Sequence, residues 1–243
     1  NYTGVPLLVV MFIQTLHLYC DFSGYTDMAL GSAKILGINL IDNFNRPFLA
    51  RNVGEFWRRW HISLSSWCND FIFSPFIVKY RKWGNKAAIV GIFLTFFVIG
   101  IWHGANWTFV VVGLLQGAVI SYEFYTKRWR LQLASKLPQG LVTAVSRLLT
   151  FLFFCLTLVF FNSHSIHDAW YYITHMFTGI KFQLEGYDFI YEKDKFIVGM
   201  VFFMMLFVFE VLQEYGKDLN GYFLSRPLYL RWIVYYLMIA IIF

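Results

Sequence analysis

Two of the six histidines in this 243-residue chain directly follow a tryptophan. His61 stands in RRWHISLSSW (58–67), and His103 stands in GIWHGANW (100–107) with long apolar runs on either side. Burial lowers the pKa of an imidazole and keeps it neutral, and a neutral imidazole is what a general base must be. The residues alone leave a second role open for each. His103 could simply donate to a backbone carbonyl beside Gly100 and Gly104, and His61 could sit on the face of an amphipathic interfacial helix. The other four read more plainly. His17 lies inside an apolar run and is expected to make an interhelical hydrogen bond; His164, His167 and His175 fall in or beside a polar loop, where solvated imidazoles are ordinary. Asp21 and Asp27, close to Ser23, Tyr25 and Thr26, need partners such as Arg58, Arg59 or a histidine if they are buried, and none if they are solvated.

The elements that must hold these groups are membrane helices. The chain is 58% hydrophobic and 21% aromatic but only 14% charged, against about 25% charged in a soluble domain. The apolar residues come in blocks, roughly 5–20, 87–102, 106–123, 147–161, 196–212 and 228–243. An all-α polytopic membrane protein is expected, forming a single membrane domain over residues 1–243. The chain begins at Asn1 and ends inside an apolar run at Phe243, so it is expected to be the C-terminal part of a longer membrane protein. Several blocks are shorter than the ~20 residues that span a bilayer upright, which suggests a thinned protein or helices that meet a polar cavity.

The net charge of +6 is not spread evenly. Residues 32–86 hold nine Lys/Arg against three acids, 124–147 hold five against none, and 162–195 hold three Lys against five acids. With 87–102 and 106–123 as a tight hairpin, the two basic loops share the cytoplasmic side, and His103 at the hairpin tip points to the other. The 16-residue run before it rises ~24 Å as a helix, short of a ~30 Å hydrocarbon core, so His103 should lie below the far surface in a protein-lined pocket. This clustering explains the basic charge by orientation in a lipid bilayer and makes a nucleic-acid partner unnecessary.

Between the first two blocks, 21–40 has apolar residues at helical spacing and is expected to form a helix packed inside the membrane domain. DNFNRPF (42–48) is turn chemistry, with Pro47 disfavouring helix at Arg46. A helix is expected from Asn52, with Glu55 completing a capping box, and Phe56, Trp60, Leu64, Trp67 and Phe71 as one apolar stripe. Cys20, Cys68 and Cys155 lie far apart without a C-x-x-C, so neither a disulfide framework nor a metal site is expected. No Walker loop, GxGxxG, HExxH or nucleophile elbow occurs, which removes nucleotide-binding and metalloprotease readings.

DFSGYTDMALG (21–31), NFNRPFLARNVGEFWRRWHISLSSW (43–67) and GIWHGANWTFVVVGLLQG (100–117), in this order and spacing, resemble the membrane-bound O-acyltransferase (MBOAT) family. The nearest branch is the bacterial alginate O-acetylase type, which is also similar to the D-alanyl transfer proteins of teichoic acid modification. The resemblance implies a ring of transmembrane helices with re-entrant and interfacial helices around a thin centre. There an acyl thioester donor (acetyl-coenzyme A or similar) meets an extracytoplasmic polysaccharide acceptor, in a multi-pass protein of the bacterial cytoplasmic membrane. It implies no bound cofactor, an acetyl group as cargo, and a periplasmic or membrane-anchored acyltransferase as partner.

By the same resemblance His103 is the catalytic base and His61 the second catalytic histidine. Apart from the resemblance, Arg58 and Arg59 are expected to attract the phosphates of the donor, and Trp60, Trp102, Asn106 and Asp27 are expected to be donor-binding or supporting residues. Relatives often carry His-Gly where this chain has Gln116–Gly117. The competing class is a transporter or channel with pore-lining histidines, which accounts for buried imidazoles and short helices but not for three ordered motifs.

Overall fold

The computed structural model describes residues 2–179 and 193–242, and these fall into two compact units, one on each side of residues 191–192. Among the described residues the secondary structure is helical, with one isolated β-bridge. Five helices are long and apolar enough to cross a membrane, and a shorter apolar helix lies near the C-terminus, as expected of an all-α polytopic membrane protein.

In the first unit, α1 runs unbroken over Val5–Ile35, about 46 Å at 1.5 Å per residue. This corrects two expectations. The stretch after residue 20 is not a separate helix, because nothing in it breaks the backbone before Gly37. There φ is +75°, and Gly37 and Ile38 donate back to the carbonyls of Lys34 and Ala33 in a Schellman turn. Nor is that half packed inside: Tyr25, Met28, Ile35 and Leu36 are exposed, and only Thr26 and Ala33 are buried.

The predicted single helix from Asn52 is also corrected. It starts as expected, with the Asn52 side chain accepting from the Glu55 N–H, but it divides into α2 (Val53–Trp57) and α3 (Ile62–Cys68). The break is His61, held in the left-handed region at φ 46°. The striped residues part company there: Phe56 and Trp60 are buried, whereas Trp67 and Phe71 are exposed. A π-helical turn (Asn69–Phe73) leads into α4 (Ser74–Lys79).

The hairpin forms from α5 (Asn85–His103) and α6 (Trp107–Ala134), the most extensively packed helix pair among the described residues. Contact is backbone to backbone. A Cβ on Gly100 would lie 2.6 Å from the Phe109 carbonyl oxygen, and one on Gly113 would overlap the Phe96 carbonyl oxygen. Gly113→Ala should therefore force the two helices apart and cost on the order of 1–3 kcal/mol, as overpacking does. Thermal melting of the detergent-solubilised protein would read it, and an unchanged midpoint would contradict it.

Helix α7 spans Gln139–Asn162 and α8 spans Ile166–His175. Met11 of α1 packs with Cys155 and Val159 of α7 and with Met176 after α8, forming one core cluster. The expected shortness does not hold for α6, with 28 residues, or α7, with 24, whereas α5, with 19, and the last apolar helix, with 15, stay below about 20. The hydropathy blocks end where Lys and Arg begin, but the helices continue through them, so most of the predicted basic loop 124–147 is helix. Much of the acidic side of the 162–195 segment lies at residues 180–192, outside the described residues. In the second unit, α9 (Lys193–Glu214), α10 (Leu219–Leu224) and α11 (Leu228–Ile242) follow. Helix α9 exposes Val201, Met204, Met205 and Val208, the surface expected of a helix facing lipid.

Candidate functional site

His61 owes its position to a local knot of backbone bonds. Residues 43–45 run antiparallel to 59–62: Asn45 donates to the Arg59 carbonyl at 2.9 Å, and Ile62 donates to the Asn43 carbonyl at 3.1 Å. Asn43 also accepts from the Ser63 N–H at 3.0 Å and from its hydroxyl at 2.6 Å. Across the fold, the Glu123 carboxylate of α6 accepts from the N–H groups of Val53 and Gly54 at 2.7 and 3.0 Å. This is a charged cap for α2 supplied from 70 residues away. Trp60, 5% exposed, is sunk among Tyr19, Phe44, Phe48, Phe56 and Phe154, with ring centroids 5.0–6.5 Å away. The tryptophan thus anchors the turn, and the residue after it is presented at the anchor's edge.

His103 is placed differently. It ends α5, and its Nδ1 lies 2.7 Å from the Ile99 carbonyl oxygen. A carbonyl only accepts, so Nδ1 carries the proton, and the neutral ring keeps its lone pair on Nε2. The backbone-bonding and proton-accepting roles therefore coexist in one tautomer. His61 follows the same logic. Its Nδ1 is 3.4 Å from Ser63 Oγ, whose own proton is committed to Asn43 at 2.6 Å, so the imidazole is the donor and its Nε2 holds the lone pair.

Both imidazoles line one cavity of about 210 Å³, with Trp57, Trp60, Gln116 and Phe154 among its other walls. Trp102 contacts both rings, at centroid distances of 6.1 Å to His61 and 4.9 Å to His103. Phe161 meets His103 edge-on at 5.2 Å, and Phe22 meets His61 edge-on at 4.8 Å. Burial, and then the positive charge that a protonated His103 would place nearby, push the His61 imidazole down from 6.5 to about 4. It stays neutral across the physiological range.

The other expected site residues scatter. Trp60 and Trp102 line the cavity. Arg58 lies on a second cavity of about 740 Å³ with Ser65, Ser66, Asn69 and Asp70. Arg59 is paired with Glu55 at 2.7 Å. Asn106 caps α6, accepting from the Thr108 N–H and donating to the His164 carbonyl at 2.9 Å, so it fastens the hairpin tip to the end of α7. Asp27 is exposed on α1, outside both cavity linings.

Sequence reasoning noted Gln116 only as a departure from relatives, giving it no role, and did not single out Thr157. Gln116 is 2% exposed; it accepts from the Trp57 indole N–H at 3.0 Å and donates to Thr157 Oγ1 at 3.1 Å. The signal available was a lone carboxamide in the apolar run VVVGLLQGAV, which must find partners when buried.

A model of the membrane-bound O-acyltransferase family matches residues 5–163, which include every residue lining the histidine cavity. The chain is 32% identical over 165 residues to the teichoic acid D-alanyltransferase of Bacillus subtilis (strain 168), covering 66% of this chain and 42% of that protein. It is 30% identical over 212 residues to a probable alginate O-acetylase of Azotobacter vinelandii, covering 85% of this chain and 40% of that protein. To the peptidoglycan O-acetyltransferase of Helicobacter pylori (strain ATCC 700392 / 26695) it is 37% identical over 163 residues, covering 63% of this chain and 28% of that protein. The chain thus spans less than half the length of each of these relatives, and the family match over residues 5–163 takes in both histidines. On the extent of the family match, this chain is a member of the membrane-bound O-acyltransferase family.

Proposed function

We propose that this chain carries the reaction centre of a membrane O-acyltransferase, which moves an acetyl group from a cytoplasmic thioester donor to hydroxyls of an extracytoplasmic polysaccharide. The observation that carries the reading is the pair of imidazoles on one apolar cavity, each with Nδ1 engaged and Nε2 left as the basic nitrogen. In the proposed step, His103 Nε2 takes the proton of an acceptor hydroxyl as its oxygen attacks the thioester carbonyl. The carbon–sulfur bond then breaks, the proton passes on to the leaving thiolate, and ester and thiol result. His61 orients the donor carbonyl or relays the proton. Holding donor and acceptor together in the cavity supplies much of the remaining rate.

The charge pattern supports the orientation. Lys86 begins the hairpin and Lys127, Arg128 and Arg130 sit near its other end. A cytoplasmic location for these basic ends places His103 toward the far side, about 26 Å along the helix from Lys86. This arrangement fits a bacterial cytoplasmic membrane. Arg58, on the wall of the larger cavity, suits the phosphates of a coenzyme A or phosphopantetheine donor. The similarity to an alginate O-acetylase and a peptidoglycan O-acetyltransferase supports acetyl as the cargo and a polymer as the acceptor, reached directly or through a membrane-anchored acyltransferase partner.

The test supplies membranes containing the protein with labelled acetyl-coenzyme A and an alginate, peptidoglycan or exopolysaccharide acceptor. Label should appear as alkali-labile ester on a polymer. Label confined to the donor and its free acetate would refute the reading.

A further inference from the structure

The histidine cavity has a chemical character that its two histidines do not set. Apart from them its walls are uncharged, and no carboxylate is among its lining residues. Gln116 is the most polar of the remaining walls, and its buried carboxamide is tied at both ends. Trp57 Nε1 donates to its Oε1, its Nε2 donates to Thr157 Oγ1, and Thr157 donates in turn to the Phe154 carbonyl at 2.9 Å. Thr157 is also only 2% exposed. The donors run in one direction, from α2 through α6 to α7. Trp57 and Phe96 belong to the walls of both cavities, and their rings meet at 5.1 Å and 68°. The carboxamide therefore fixes an indole that forms part of the partition between the histidine cavity and the larger one bearing Arg58.

From this relay we infer that Gln116 is the specificity-determining residue for the acyl group, holding a rigid, neutral wall that admits a short uncharged acyl chain and rejects longer or cationic ones. The inference rests on the acyltransferase reading above and adds the substrate class. The physical grounds are three. A wall fixed by two buried hydrogen bonds yields little to a longer chain, since rotating Trp57 would leave the carboxamide without its donor. An aminoacyl group would bring an ammonium into a cavity with no anionic partner, a costly transfer. Gln116 is 2% exposed, so its carboxamide has little room to turn toward a new donor.

The experiment compares acetyl-, butyryl- and D-alanyl-coenzyme A as donors in membranes containing the wild-type protein, Gln116→Ala or Thr157→Val. The wild type should use acetyl and largely refuse the other two. Gln116→Ala removes wall and tether together and should raise the butyryl-to-acetyl ratio on the order of tenfold, the scale at which a pocket discriminates by a methylene or two. Thr157→Val keeps the volume but removes the acceptor for the Gln116 amide, and should shift the ratio in the same direction by less. A ratio unchanged in both variants, with only total transfer lowered, would overturn the inference and leave the acyltransferase reading standing. Efficient D-alanyl transfer by the wild type would do the same. Absence of any transfer by the wild type would instead strike the acyltransferase reading on which the inference rests.

Discussion

Replacing His103 with alanine is expected to lower acyl transfer by a factor on the order of 10²–10⁴, the usual worth of a positioned general base, without loss of the folded protein. The imidazole stands at the last residue of α5, where its side-chain bond to the Ile99 carbonyl supplements a helix already held along its length by α6. Its removal should therefore leave the hairpin in place. Base catalysis can be separated from mere positioning by the acceptor. When Nε2 removes the proton, an acceptor with a more acidic hydroxyl needs the base less, and the deficit of His103→Ala should shrink as acceptor acidity rises. A deficit that is constant across acceptors would mean that the ring only shapes the cavity. Transfer at the wild-type level in the variant would remove His103 from the reaction altogether.

What the sequence disclosed was whatever depends on neighbours in the chain. The Trp-His pairs, the Asn52 cap with Glu55, the apolar blocks and the glycine-flanked hairpin tip all express their geometry within a few residues. What it withheld depends on partners far away or on a single backbone angle. The spacing of Phe56, Trp60, Leu64, Trp67 and Phe71 is the same for one straight helix as for two helices broken between them. Only the antiparallel pairing of residues 43–45 with 59–62 selects the second, by drawing His61 into the left-handed region. Glu123 reads as one acid near a basic stretch, yet its carboxylate caps a helix that begins 70 residues earlier. The far half of α1 was misplaced because apolar spacing at 28–38 looks alike whether a helix faces protein or lipid. Among the site residues, Asn106 illustrates the same point: expected as a donor-binding or supporting residue, it has its side chain occupied in fastening the hairpin tip.

His61 offers the sharpest separation of backbone from side chain. Its φ of 46° is a conformation that asparagine tolerates and most residues do not. His61→Asn should therefore keep the break between α2 and α3 while deleting the imidazole, whereas His61→Val should strain the turn as well. Transfer by His61→Asn is expected to fall on the order of a hundredfold, the lower end for a group that assists proton transfer.

The pH dependence supplies the independent check. Burial and the neighbouring His103 hold the His61 imidazole at about 4 in the fold, against an ordinary 6.5. Between these values the unfolded chain binds a proton that the folded chain refuses, so folding stability rises with pH across that window. The stabilising contribution is complete above about pH 6.5 and is lost as pH falls toward 4. His61→Asn removes the titrating group, so the variant should lose less stability than the wild type on acidification over this range. Melting of the purified protein in detergent at pH 7.5, 6 and 5 would show it as converging curves. Parallel curves would mean that His61 is as open to water in the fold as in the unfolded chain. A ring so exposed could not sit on the wall of an apolar cavity, and its lone pair would not be reserved for the reaction.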